Sequence, residues 1–266
     1  LGASLSQRGA RLARDIMKLD TTLGELNNND FEQYGEGRYH FTLMGKTSKT
    51  EPCGWQVDGH HLILNYFALG DQVVLSPMFL GSEPVIARSG KHAGTSILQL
   101  EQAKGLEMIR SLNDPQRAKA ILRADKTGNN NVGEAYKDNI VLDYAGVPAT
   151  DLDGKQKEQL IALIGEYIAN MDPGHAKVRM DEIRKHIART HFAWIGGTSD
   201  DAIFYYRIHS PVILIEFDHQ LPVGLRQLSK NPKVPDREHV HIVVRTLNGN
   251  DYGKDLLRQH YAQTKH

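Results

Sequence analysis

Two histidines one residue apart stand in the run Glu238-His239-Val240-His241-Ile242-Val243-Val244-Arg245. β-branched residues run through it, and polar positions alternate with apolar ones, which predicts a strand. Period two then puts His239, His241, Val243 and Arg245 on one face and Val240, Ile242 and Val244 on the other. The apolar face belongs in a core. Histidines at i and i+2 lie roughly 7 Å apart along the backbone, so both rings can reach one metal ion. Imidazoles joined by one or two carboxylates, with a coordination position left open, suit a divalent transition metal such as zinc, copper, iron or manganese.

Other residues could complete such a site. Glu216 and Asp218 share one face of a neighbouring strand-like run, and Glu216 is the carboxylate expected to join His239 and His241 as a ligand. The competing expectation is a structural ion pair of Glu216 with Arg207 or Arg245. The pair His60-His61 offers a further imidazole. Adjacent strand residues face opposite ways, so one ring at most serves a given site: His61 is taken as a ligand and His60 as a candidate acid–base group. Asp251 and His260 are candidate catalytic or orienting groups, with helix capping as the alternative for Asp251. Arg207 and Arg245, held inward on strands, suit bidentate binding of a substrate carboxylate. There is no Gly-x-Ser-x-Gly, phosphate-binding loop or dinucleotide fingerprint, which disfavours serine hydrolases, nucleotide hydrolases and Rossmann reductases.

The elements that must position these groups follow from periodicity. Residues 4–27 predict a helix, capped by Ser4 or Ser6, with Leu12, Ile16, Leu19 and Leu23 on one stripe. A first β-region spans 39–76. Within it Asp58-Gly59 is the hairpin signal, and His60 to Phe67 follows as a long strand. Pro77 to Pro84 reads as a packed loop. A helical block covers 97–190, with Leu98, Leu100, Leu106 and Ile109 lining its first helix and Asp114-Pro115 opening its second. Lys126 to Asn131 reads as a flexible surface loop. A second β-region covers 192–246, followed by a C-terminal helix over 254–263. This order predicts an α+β fold in one domain, its antiparallel sheet built from both β-regions across a helical insertion.

Composition bounds the partners. The chain has 266 residues, 40% hydrophobic and 24% charged, an ordinary globular profile. Its 32 basic and 32 acidic residues give no basic excess, which argues against nucleic-acid binding. No apolar run approaches the about 18 residues of a membrane span. One cysteine, Cys53, excludes an internal disulfide framework. The chain begins Leu1-Gly2-Ala3, so no export signal can be read and the compartment stays open. Oligomeric state is equally open.

Several blocks in order carry a family resemblance. They are Gly54-Trp55-Gln56-Val57-Asp58-Gly59-His60-His61-Leu62-Ile63-Leu64-Asn65, Phe192-Ala193-Trp194 with Gly196-Gly197, Tyr205-Tyr206-Arg207-Ile208, Glu216-Phe217-Asp218, His239-x-His241, and Asn250-Asp251-Tyr252-Gly253 running to His260-Tyr261. Together they resemble the bacterial family designated domain of unknown function 3500, from about Ser6 to Tyr261. The chain resembles a member lacking the segment that usually precedes its first helix. It also carries Asp218-His219 where the family usually has Asp-Asn. The family name implies no reaction. The residues themselves predict a metal-dependent enzyme, hydrolytic or oxygen-using, acting on a small polar substrate. The rival is a non-catalytic metal- or ligand-binding protein.

Overall fold

The computed structural model describes residues 4–133 and 137–264. Six α-helices are present among them: α1 (Gln7–Leu26), α2 (Gln99–Ser111), α3 (Asp114–Ala120), α4 (Gly154–Ile168), α5 (Pro173–Lys185) and α6 (Lys254–Gln263). The strands of the first β-region are β1 (His40–Gly45), β2 (Cys53–Gly59), β3 (Leu62–Leu69) and β4 (Gln72–Ser82). Two short ones follow, β5 (Ile121–Arg123) and β6 (Val147–Pro148). The last four are β7 (His191–Gly196), β8 (Phe204–His209), β9 (Ile213–His219) and β10 (Val240–Thr246). All belong to one sheet of order β1-β2-β3-β4-β10-β9-β8-β7-β5, with β6 also paired to β7. The fold is the expected α+β arrangement. The two β-regions join where β10 pairs with β4, and only the β5–β7 pairing is parallel.

The two faces of the sheet differ in chemistry because the alternation in sequence is followed strand by strand. Val240, Ile242 and Val244 lie in one core with Ile213, Ile215, Phe217, Phe204, Tyr206 and Ile208. Ile16 and Leu19 of α1, Leu106 and Ile109 of α2, and Leu160, Leu163 and Ile164 of α4 complete it. Burying a side chain of this size stabilises by roughly 1.5–3 kcal/mol, so this face carries the fold. Tyr167 of α4 and Tyr206 of β8 satisfy their buried hydroxyls against each other, and Tyr206 also donates to Glu101 O. The opposite face carries His241, Asp218, Glu216, Arg207 and Arg245. None of the described helices is long and apolar enough to cross a membrane.

Five local expectations are corrected. The hairpin between β2 and β3 turns at His60-His61, not at Asp58-Gly59: Gly59 pairs with Leu62 and His61 adopts φ +61°. Gly59 answers a different demand, since a Cβ there would lie 2.3 Å from the Tyr39 ring. The stretch from Pro77 is no loop but part of β4, which runs unbroken to Ser82. The ladder shifts register at Asn65, whose side-chain amide donates to Pro77 O, so an irregularity sits beside the residue that lacks an N–H. Residues 126–131 are pinned instead of free, as shown below. Leu100 is 55% exposed, because α2 begins only at Gln99, after a left-handed Leu98. Helix starts otherwise follow the residues: Ser6 accepts from Gly9 N, and Asn113, one residue before the expected Asp114, caps α3 in a capping box with Gln116.

Candidate metal centre

Three imidazoles meet where β3, β4 and β10 are neighbours. His61 comes from the tip of the β2–β3 hairpin, His239 from just before β10, and His241 from its second residue. Nε2 of His61 lies 3.2 Å from Nε2 of His239, which lies 3.0 Å from Nε2 of His241. Among the described residues this is the one group of three or more potential ligands gathered tightly enough to hold a metal ion. Metal–nitrogen bonds of 2.0–2.1 Å in tetrahedral geometry place ligand nitrogens about 3.3 Å apart, close to the spacing seen. Gly81 of β4 makes the convergence possible. It stands opposite His241 and donates its N–H to His61 O at 2.8 Å. A Cβ on Gly81 would lie 3.1 Å from the His61 ring and 3.2 Å from the His241 ring.

The protonation chemistry suits a cation. His239 Nδ1 lies 2.7 Å from Leu221 O, and a carbonyl can only accept. Nδ1 therefore carries the proton, and the neutral ring offers a lone pair at Nε2. Burial lowers the affinity of all three rings for a second proton. His61 falls well below the ordinary histidine range, helped by neighbouring His60, His241 and His239. His241 does the same through burial and then His239. His239 is also lowered by burial, against the opposing pull of Glu83. Neutral, crowded imidazoles with facing nitrogens are ready metal ligands. The donor set therefore fits a divalent transition metal, and its nitrogen-only character favours zinc, copper or iron over magnesium or calcium.

His60 is beside this group but differently employed. Its ring centroid is 3.9 Å from that of His61. Its Nδ1 donates to Asp20 Oδ1 at 2.7 Å, and the Asp20 carboxylate is buried on α1. Tyr39 Oη donates to His60 O at 2.6 Å, fixing the turn. The His60 side chain remains 40% exposed next to the centre. Asp20 went unremarked in sequence. It stands in the amphipathic α1, and nothing local links it to a hairpin forty residues on. A cleft of about 870 Å³ opens on the far edge of His239, bordered by Glu83, Pro222, Leu225 and Leu228.

The remaining candidates lie elsewhere. Glu216 is not in the imidazole group. It accepts from Tyr205 Oη at 2.6 Å, from Val132 N at 3.0 Å and from Gly133 N at 2.6 Å. Nor does it form the alternative ion pair with Arg245, which pairs instead with Asp251. Burial raises the Glu216 carboxyl above its usual range, against the bonds that favour its charge. Asp251 also accepts from Ser76 Oγ at 2.6 Å and from Asn139 N at 2.9 Å. It therefore anchors the segment before α6 and neither orients a ring nor caps that helix, whose N-cap is Gly253. Arg207 donates to Asp143 O at 3.3 Å. His260 stands 3.7 Å from Glu51, near Tyr261. Asp218 pairs with buried Lys126 at 2.8 Å, and burial holds its carboxyl up at about 6.

A family model described as "Protein of unknown function (DUF3500)" matches residues 1–254. No curated protein and no solved structure matches the chain.

Proposed function

The chain belongs to the DUF3500 family, whose description names no reaction, and from the histidine centre we propose that it is a metalloenzyme acting on a small polar substrate. His61, His239 and His241 would hold one divalent transition metal, leaving a coordination position for water or substrate. When bound, such an ion supplies Lewis acidity and lowers the pKa of water. The chain's own residues do the rest. Leu221 O fixes the tautomer of His239, and Gly81 keeps the rings within reach of one point. His60, oriented by Asp20, presents a second nitrogen beside that point as a hydrogen-bond partner for substrate.

The observation that carries this reading is the gathering of His61, His239 and His241, whose ligand atoms all lie within 4.8 Å of one another. The His60–Asp20 pair favours catalysis over storage, since a storage site has no use for an exposed, carboxylate-oriented imidazole. The test is metal analysis of protein purified without a metal-affinity tag. Zinc at one per chain supports a hydrolytic enzyme, and copper or iron supports an oxygen-using one. Joint replacement of His239 and His241 by alanine should remove that metal while the circular dichroism spectrum is kept. Metal content unchanged in the double variant removes this centre from consideration.

A further inference from the structure

We infer that Glu83 sets the metal affinity of the histidine centre without touching the ion, by latching the loop that holds His239. This rests on the centre proposed above. Glu83 follows β4 and is 3% exposed. Its carboxylate accepts three successive backbone N–H groups: Val223 at 3.1 Å, Gly224 at 2.8 Å and Leu225 at 3.1 Å. Such a row of N–H groups makes a nest for an anion. Gly224 has to be small there, because a Cβ would lie 2.9 Å from a methyl of Leu23 and 3.4 Å from Glu83 itself.

The loop so held begins with the residue that matters to the site. Leu221 O accepts from His239 Nδ1, and on its other side Leu221 N donates to Asn129 Oδ1 at 2.9 Å. Gln220 N donates to His239 O at 2.8 Å. Residues 220–225 are thus clamped by Glu83 at one end and by Asn129 and Gln220 at the other, with the tautomer-fixing carbonyl between. Glu83 Oε2 also lies 3.6 Å from His239 Nδ1, on the ring edge away from the converging nitrogens. It cannot be a ligand in this position. Its negative charge makes the ring a better donor toward a cation, and its hydrogen bonds keep the ring's orientation. Partners of this kind are worth about 10–100-fold in metal affinity. Glu83 is a positioning residue.

The test uses the full chain stripped of metal and titrated with cobalt(II), read by its ligand-field absorption and by competition with a chelator. Wild type should bind one cobalt. Glu83→Gln keeps the volume but replaces one acceptor oxygen with a donor group, and should weaken binding about 10–100-fold with a shifted absorption band. Equal affinity and an unchanged band overturn the inference. So does a variant whose metal-free melting temperature falls while its folded fraction binds cobalt as wild type does, because that is a merely structural role. Should Glu83→Gln not fold, Asn129→Ala tests the other clamp. It should weaken cobalt binding in the same direction by a smaller factor, and wild-type affinity there overturns the latch. A wild type that takes up no cobalt rejects the metal centre itself, which is a different result from a metal-binding wild type with an indifferent Glu83.

Discussion

One face of the sheet carries two polar regions that solve the problem of burial in opposite ways. Along β8, β9 and β10 the charges are answered by other charges or by N–H groups. Arg245 meets Asp251, Lys126 meets Asp218, and Glu216 meets Tyr205 and two backbone amides. At the head of β10 three neutral imidazoles turn their nitrogens toward one another, with no carboxylate among them. The first region is built of ion pairs and backbone bonds that hold segments 126–133 and 137–143 to the sheet. The second is held by ring-to-ring contacts, with His239 offering its Nε2 lone pair to both neighbouring rings. On the proposed reading a cation would take that lone pair. The difference teaches that buried polarity alone does not mark a candidate site; convergence of neutral, electron-pair-donating rings does.

Breaking the first region should cost stability and spare the site. Arg245 is fully buried against Asp251, so Arg245→Met leaves a buried carboxylate without its countercharge and should cost about 3–5 kcal/mol. Denaturant unfolding of the metal-free protein measures that loss, and cobalt affinity of the folded variant should stay within a factor of a few. Strongly weakened cobalt binding with little loss of stability would show that the two regions are one.

How much of this contrast was visible in sequence depends on the range of the contacts involved. The alternation of β10 fixes which face takes His239, His241 and Arg245, because period two is local. The meeting of the two β-regions follows from element order. What local pattern could not show is which long-range partner each polar side chain takes. Glu216 and His241 lie on the same face of adjacent strands, yet the loop bearing Val132 and Gly133 claims Glu216 first. Asn129, Asn130 and Asn131 look like a solvent-exposed run, and two of their backbone amides bind buried Asp218. The His60-His61 turn was missed because Asp-Gly is the better turn former in isolation; the fold overrides it by stacking Tyr39 against Gly59. Strict alternation would then have sent His60 and His61 to opposite faces. At a turn the rule lapses, and the two rings lie side by side, 3.9 Å between centroids and tilted by 35°.

His219 sharpens the comparison as a buried histidine that is complete without metal. Its Nδ1 accepts from Phe204 N at 2.9 Å, and its Nε2–H donates to Gln102 Oε1 at 2.8 Å. Burial, with Arg237 and Lys126 nearby, holds its pKa well below 6.5. In the unfolded chain the ring titrates near 6.5, so below that pH the unfolded state binds a proton that the folded state refuses. The stability His219 contributes is therefore present above pH 6.5 and is lost as pH falls, by up to about 1.4 kcal/mol per pH unit. His219→Asn should flatten that slope between pH 6.5 and 5 in denaturant titrations. Added metal should leave the His219 share untouched, whereas the share from His61 and His241 should respond to it. An unaltered slope in the variant would assign the whole acid sensitivity to other groups.

The smallest stability effect separates the regions most cleanly. His61 occupies φ +61°, a left-handed conformation that costs a side chain with a Cβ roughly 1–2 kcal/mol. Glycine takes that conformation freely. Strain retained at a position where glycine would relieve it points to a use for the side chain. His61→Gly relieves the strain but loosens the unfolded chain by roughly 0.5–1 kcal/mol, so these backbone effects should change net stability by no more than about 1 kcal/mol, with any further loss reporting the buried ring's packing. Cobalt binding should nevertheless be lost, since two imidazoles remain of three. The paired measurement is an unfolding curve and a cobalt titration on the same sample. A large loss of stability would mean the ring is there for packing, and retained tight binding would mean that His239 and His241 recruit a ligand other than His61.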